Sequence, residues 1–172
     1  MDAPLAPPWH TSHWLGGPPR TLESLRGRVV FLHAFQMLCP GCVSRALPQA
    51  ARVASIFAGE ALEVIGLHTV FEHHDAMQLP SLTAFVHEYR IDYPVAVDAP
   101  SEDGSPIPRT MSAYAMRGTP TTILVDAEGR LRARHFGVVD DLVLGAEIQT
   151  LLLERNTQRR GPPSARRRAS SE

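Results

Sequence analysis

A short run from Val29 to Phe35 (VVFLHAF) limits the possible folds of this chain more than any other part of the sequence. It is almost wholly apolar and rich in β-branched and aromatic residues, a pattern typical of a strand buried on both faces. Ala61 to Val70 (ALEVIGLHTV) repeats that pattern. Between these runs, apolar residues recur from Val43 to Phe57 at steps of three and four, as on one face of an α-helix. This order predicts two parallel strands joined by a helical crossover.

The rest of the chain continues the alternation of strands and helices. Pro48 lies inside the first helix and is expected to kink it, and Asp140 is placed to cap the last helix. The other predicted elements are a helix over Pro80–Arg90, a short strand over Tyr93–Val97, a helix over Arg109–Met116 and two strands, Thr121–Val125 and Leu131–Phe136, joined by a glycine-containing turn. The predicted order is β-α-β-α-β-α-β-β-α. It describes an α/β fold in which a central mixed sheet of four to five strands is flanked by helices.

The length of 172 residues suits a single domain with peripheral extensions. Residues 1–20 are rich in Pro and Gly, so they are expected to be irregular and to lie over the domain. Residues 21–155 hold all the predicted strands and helices and form the domain itself. From residue 156 onward the sequence is polar and arginine-rich with no apolar face, so residues 156–172 are predicted to be a disordered tail.

Two cysteines follow the first buried strand in the motif Cys39-Pro40-Gly41-Cys42. The motif places Cys39 at the amino end of a helix, where unpaired N–H groups and the helix dipole stabilise an anion. Because the thiolate is the reactive form of cysteine, this position creates a nucleophile near neutral pH. Pro40 presets the backbone for a first helical turn, and Gly41 leaves the approach to Cys39 open. Cys42 lies about one turn further on and is expected to be more buried.

This asymmetry predicts thiol–disulfide exchange. Cys39 attacks one sulfur of a substrate disulfide to form a mixed disulfide, and Cys42 then displaces the substrate. A Cys-x-x-Cys motif beside a βαβ pattern favours redox chemistry over a structural role. The alternative is a buried or metal-holding pair, but a zinc site would need two further ligands, and the chain has no second cysteine pair.

Further along the chain, Arg117-Gly118-Thr119-Pro120 directly precedes a predicted strand. The segments VVFLHAFQMLCPGC and RGTPTTILVDAEGRLRARHFG, in this order and spacing, resemble the thioredoxin superfamily, and most of all the redoxin and thiol–disulfide reductase branch that includes the cytochrome-maturation reductases. The resemblance covers residues 21–153 and implies a thioredoxin-like fold and a thiol–disulfide oxidoreductase. It further implies that Pro120 is a cis-proline lying against the cysteines, and that the backbone of Thr119 pairs with an extended stretch of substrate.

Three features depart from thioredoxin itself. The family has an aromatic residue before the first cysteine and a buried aspartate six positions before it, where this chain has Leu38 and His33. The resemblance therefore makes His33 a candidate for moving a proton to and from Cys42, and the alternative is a buried neutral histidine held by one hydrogen bond. The dipeptide Pro-Gly reverses thioredoxin's Gly-Pro, so neither the reduction potential nor the direction of electron flow is implied.

Two other functions stay open at this point. A thiol peroxidase of the peroxiredoxin type needs Thr or Ser three residues before its reactive cysteine, and Gln36 stands there instead. The other is a redox-inactive or metal-linked binding module, because fold alone does not fix activity. His68, His73 and His74 raise the idea of a metal site, but consecutive histidines point apart on any regular element. A polar insertion over residues 68–79 is the simpler interpretation.

The expected partners are a protein or small-molecule disulfide or dithiol substrate and a recycling thiol reductase or oxidant, with no cofactor and no metal. A formal net charge of −1 gives no indication of a nucleic-acid or membrane partner. The first residues lack a basic cluster followed by an apolar core, so no secretory signal is predicted. If the chain is complete, we expect it in the cytoplasm, where such a cysteine pair is more typical of catalysis than of a structural disulfide.

Overall fold

Residues 3–160 are described by the computed structural model, and a six-stranded sheet with helices on both faces lies at its centre. The strands are β1 (Thr11–Leu15), β2 (Val29–Phe35), β3 (Leu62–His68), β4 (Val95–Asp98), β5 (Thr121–Val125) and β6 (Leu131–Phe136). The helices are α1 (Leu47–Ile56), α2 (Leu79–Glu88), α3 (Arg109–Ala113) and α4 (Asp141–Arg160). A π-helical turn, Cys42–Ala46, leads into α1, and a 3-10 turn, His74–Met77, precedes α2.

The strand order across the sheet is β1-β4-β3-β2-β5-β6. The strands β2, β3 and β4 are parallel to one another, whereas β1, β5 and β6 run antiparallel to the strands they pair with. The predicted α/β fold with a central mixed sheet is confirmed, although the sheet has six strands instead of four to five. Because the carboxyl ends of β2, β3 and β4 meet at one edge, the segments that follow them lie side by side there.

All seven residues of β2 are buried, as the continuous apolar run predicts. Successive side chains point to opposite faces of the sheet, so Val29, Phe31 and Phe35 enter one core while Val30 and Leu32 enter another. Side chains from α1, α2 and α4 cover the first core, and α3 and the turn around residues 22–25 cover the second. Each fully buried aliphatic or aromatic side chain stabilises the fold by about 1.5–3 kcal/mol, so β2 is held from both sides.

The helix after the cysteines is irregular where Pro48 predicts it to be. The N–H of Leu47 donates to the carbonyl of Cys42, five residues back, which closes the π-helical turn directly before Pro48. Proline has no N–H to donate, and its ring crowds the carbonyl four residues earlier, so regular α-helical bonding cannot pass through this position. Single π-helical turns of this kind occur frequently at functional sites.

The prediction that residues 1–20 are irregular does not hold for Thr11–Leu15, which form β1. Trp14 lies opposite Ala96 and Leu15 opposite Val95, so β1 covers what would otherwise be the open edge of β4. The prediction of an irregular segment depended on prolines, and these lie before and after this strand. The pairing partner is some eighty residues away along the chain, and a local pattern carries no information about it.

The predicted start of the tail at residue 156 falls inside a helix, because α4 continues to Arg160. The side chain of Arg155 donates to the carbonyl of Gly27 over 2.5 Å and holds this part of α4 against the domain. The predicted cap at Asp140 is confirmed, since its Oδ1 accepts the N–H of Leu142 over 2.9 Å. The remaining tail, residues 161–172, lies outside the described residues. Between residues 3 and 160, no helix is long and apolar enough to cross a membrane.

Candidate active site

Cys39 and Cys42 lie where β2 has ended and a helical segment begins. The N–H of Cys39 donates to the carbonyl of Gln36 over 3.3 Å, and helical geometry starts at Pro40. Cys39 therefore occupies the N-cap position, and the N–H of Cys42, the third helical residue, donates to Cys39 Sγ over 3.2 Å. The sulfur takes the place of the serine or aspartate oxygen in an ordinary helix cap. The same N–H is placed to stabilise a thiolate at Cys39.

The two sulfur atoms differ in their access to solvent. Cys39 and Cys42 form a disulfide with a Cα–Cα distance of 5.2 Å. Cys39 is half-buried at the surface, whereas Cys42 is fully buried and packs in the core that α1 and α4 cover. An incoming substrate can therefore reach Cys39 and not Cys42, which is the inequality that a nucleophile and a resolving cysteine require.

The loop before β5 lies directly against the disulfide. The Thr119–Pro120 peptide bond is cis, and the Thr119 carbonyl oxygen lies 3.6 Å from Cys39 Sγ. A Cβ on Gly41 would stand 3.7 Å from Pro120 Cδ, so this glycine faces the proline at van der Waals distance. Antiparallel pairing of β5 with β2 brings the start of one strand beside the end of the other. The structure thus gathers Cys39, Gly41, Thr119 and Pro120, which are far apart in the sequence.

Three exposed apolar residues adjoin these segments: Leu38 and Pro40 flank Cys39 in the sequence, and Phe136 pairs with Thr121, directly after the cis bond. Leu38 is 57% exposed and Phe136 54% exposed. The Phe136 ring lies over Gly118, where an added Cβ would come within 3.1 Å of Phe136 Cε2. The guanidinium carbon of Arg117 lies 5.2 Å from the centre of the same ring, at cation–π distance.

His33, the predicted proton relay, is deeply buried in β2. Its ring packs against the rings of Phe35 and Tyr93, each with a centroid distance of 5.4 Å. Neither ring nitrogen has a hydrogen-bond partner among the described residues, so the single hydrogen bond expected for a structural histidine is not found. Burial lowers the pKa of His33 to about 3, which leaves the ring neutral at physiological pH. Its role as a relay to Cys42 stays a prediction.

Gln36 contacts the site, although the sequence marked it only as a departure from the peroxidases. Its side chain is 2% exposed. Its Nε2 donates to Thr119 Oγ1 and its Oε1 accepts the N–H of Phe71, each over 3.4 Å. The available signal was a polar residue at the end of an apolar strand, three positions before Cys39. The sequence contains no indication of which distant groups such a side chain would meet.

The three histidines of the insertion do not converge. His68 is buried at the end of β3, whereas His73 and His74 are exposed in and before the 3-10 turn. Within residues 3–160, no group of three or more His, Cys, Asp or Glu side chains is arranged to hold a metal ion. His68 lines an open cavity of about 270 Å³ beyond the ends of β3 and β4, and burial lowers its pKa to about 4.

Comparison with known proteins adds a family and several relatives. A family model described as the AhpC/TSA family matches residues 6–134. The thiol-disulfide oxidoreductase ResA of Halalkalibacterium halodurans is 27% identical over 125 residues, which are 72% of this chain and 62% of that protein. The chain thus spans less than two thirds of the length of this curated relative.

Two solved structures match over nearly their whole length. A thioredoxin-like superfamily protein is 53% identical with a TM-score of 0.84, and the match covers 87% of this chain and 97% of that one. A thiol-disulfide isomerase from Corynebacterium glutamicum is 46% identical with a TM-score of 0.83, covering 88% of this chain and 97% of that one. These matches confirm the predicted thioredoxin-like fold.

Proposed function

The chain belongs to the AhpC/TSA family within the thioredoxin superfamily, and we propose that it is a thiol–disulfide oxidoreductase acting through Cys39 and Cys42. The observation that carries the proposal is the unequal pair at the helix start: a half-buried Cys39 at the N-cap and a fully buried Cys42 whose N–H points at it. A structural disulfide has no need of this inequality. The named activities of the relatives agree with it.

In the proposed reaction, the reduced protein begins with a Cys39 thiolate and a Cys42 thiol. Cys39 Sγ attacks a substrate disulfide, a new S–S bond forms, and one substrate sulfur leaves as a thiolate. Cys42, once deprotonated, attacks Cys39 Sγ and releases the second substrate sulfur. Two electrons have then passed from the protein to the substrate, and the protein holds the Cys39–Cys42 disulfide. The reverse sequence oxidises a substrate dithiol, and a separate thiol reductase or oxidant restores the starting form.

The loop of Thr119 and Pro120 is the proposed substrate platform. The Thr119 carbonyl already faces Cys39 Sγ at 3.6 Å, so an extended chain that hydrogen-bonds to this backbone would carry its own sulfur to the nucleophile. Pro40 and Gly41 form the opposite wall. No cofactor is required by this chemistry. A thiol peroxidase is disfavoured, because Gln36 stands where those enzymes have a Thr or Ser hydroxyl. The cytoplasmic location stays a prediction.

Trapping of a mixed disulfide at Cys39 tests the proposal. In the Cys42→Ser variant, the mixed disulfide at Cys39 cannot be resolved, so the variant is expected to accumulate a covalent complex with a disulfide-bonded peptide, visible by intact mass. Cys39→Ser is the matched control and should form none. The rate of Cys39 alkylation against pH should place its thiol pKa below the ordinary value of about 8.5. A Cys42→Ser protein that captures no peptide, with Cys39 titrating near the ordinary value, would refute the oxidoreductase.

A further inference from the structure

Gln36 connects three segments that frame the disulfide. Its backbone carbonyl accepts the N–H of Cys39, its Oε1 accepts the N–H of Phe71, and its Nε2 donates to the hydroxyl of Thr119. These groups belong to the cysteine turn, to the segment after β3 and to the loop before β5. A glutamine amide is 2% exposed here, and a buried amide of this kind destabilises the fold unless its polar atoms are bonded.

The Gln36–Thr119 contact joins this residue to the proposed substrate platform. In the proposed function Thr119 offers its backbone to the substrate, and its side-chain hydroxyl accepts a hydrogen bond from Gln36. The hydrogen bond is 3.4 Å long, at the weak end of the range. Polar contacts in unliganded active sites are often long and shorten in the complex. An amide that is hydrogen-bonded to this hydroxyl therefore limits how far the Thr119 backbone can move away from Cys39.

We propose that Gln36 is a positioning residue for peptide substrates: it holds Thr119, and with it the substrate backbone, at the distance from Cys39 that exchange requires. This inference rests on the proposed function and adds that Gln36 affects peptide disulfides differently from small disulfides. A peptide disulfide uses the Thr119 backbone and depends on Gln36. A small disulfide without a peptide backbone reaches Cys39 directly and does not depend on it.

The test compares two substrates and two buried glutamines. Gln49 is the matched control, because it is also buried and its Nε2 bridges Val139 O and Asp141 Oδ1, both over 2.7 Å. Gln36→Ala, the near-isosteric Gln36→Met, and Gln49→Met are prepared in reduced form. The second-order rate constant is then measured for a disulfide-bonded peptide and for bis-hydroxyethyl disulfide, and thermal unfolding is recorded for each variant.

Both Gln36 variants are expected to react about three- to tenfold more slowly with the peptide, as the loss of one neutral hydrogen bond implies, while the rate with the small disulfide stays unchanged. Gln49→Met is expected to lose stability with no change in the ratio of the two rates. Thr119→Val removes the other partner, so the double variant Gln36→Ala/Thr119→Val should be no slower than the slower single variant.

Each other result counts against the inference. Equal losses on both substrates would make Gln36 a purely structural residue, and additive losses in the double variant would show that the amide and the hydroxyl act separately. An unchanged peptide rate in Gln36→Met, which retains the side-chain volume, would also overturn it. A wild-type protein that reacts with neither disulfide would overturn the proposed function as well, so the two failures are distinguishable.

Discussion

Two buried polar clusters lie at the same edge of the sheet and are bonded very differently. At the end of β2, Gln36 spans two loops through contacts of 3.4 Å. At the end of β4, Asp98 accepts three shorter hydrogen bonds, from the N–H of Thr110 at 2.8 Å, the N–H of Met111 at 2.9 Å and the hydroxyl of Thr69 at 2.9 Å. The hydrogen bonds to Asp98 are therefore close to ideal length, whereas the Gln36 contacts are long and have room to shorten.

The comparison indicates that the Asp98 cluster stabilises the fold, whereas the Gln36 contacts serve the proposed exchange reaction. Asp98 ties β4 to β3 through Thr69 and to the start of α3, and Thr110 in turn bonds the backbone of His10 in the N-terminal segment. Burial raises the pKa of Asp98, while its hydrogen bonds act to lower it. None of its partners belongs to the cysteine turn or to the Thr119 loop. We therefore expect changes at Asp98 to alter stability and changes around Thr119 to alter exchange.

The largest expected effect is on stability at Asp98. Asp98→Ala leaves two buried N–H groups and one hydroxyl without their acceptor, which is expected to lower the free energy of unfolding by about 3–5 kcal/mol. Asp103→Ala, in the exposed loop that follows, is the control and should cost less than about 1 kcal/mol. Urea unfolding measures both. The contrast between the clusters breaks down if folded Asp98→Ala protein also reacts more slowly with the peptide disulfide while its rate with the small disulfide stays unchanged.

Acid is expected to lower the stability of the fold, because His33 in β2 and His68 in β3 are buried. Their folded pKa values of about 3 and about 4 lie below the ordinary 6.5, so the unfolded chain binds protons first as the pH falls. Stability is unaffected above pH 6.5 and declines below it, by about 2–3 kcal/mol for each histidine at pH 4.5. Asp98, with its raised pKa, changes stability in the opposite sense over the lower carboxyl range.

Single histidine variants show which residue causes this loss of stability in acid. Urea midpoints at pH 7 and pH 4.5 should differ less in His33→Phe than in the wild type, by about 2–3 kcal/mol in unfolding free energy. Exposed His74→Phe should show the same pH dependence as the wild type. If the stability of His33→Phe declines as steeply as that of the wild type, the folded pKa of His33 is not lowered by burial, and another group accounts for the decline.

The smallest expected effect is at Gly118, which directly precedes Thr119 in the loop beside Cys39. Its φ of +156° and the Phe136 ring 3.1 Å from an added Cβ both oppose a side chain. Gly118→Ala is expected to cost about 1–2 kcal/mol of stability and to slow reaction with the peptide more than with the small disulfide, because the Thr119 loop must shift. Gly59→Ala, with φ of +84° and open space around it, carries the backbone cost alone. Equal rate changes in both variants would refute a link between Phe136 and the loop.

Much of the fold followed from local patterns. The apolar runs of β2 and β3, the β5–β6 hairpin, the interruption at Pro48 and the Asp140 cap all depend on residues close together in the chain. The thioredoxin superfamily could also be predicted from the sequence, because its two motifs are short and specific. The comparisons confirm this prediction. β1 was missed because a strand at the sheet edge exists only through its partner, and α4 was ended too early because the contact from Arg155 to Gly27 is not local.

By itself, the sequence determined that a buried strand would end in a cysteine pair at a helix start, because hydrophobic periodicity and capping act within a few residues. Only the tertiary structure decided what surrounds that pair. It set the Thr119 carbonyl 3.6 Å from Cys39 Sγ and turned Gln36 toward Thr119. The physical reason is distance along the chain: these contacts join residues about eighty positions apart, and strand pairing brings them together only after folding.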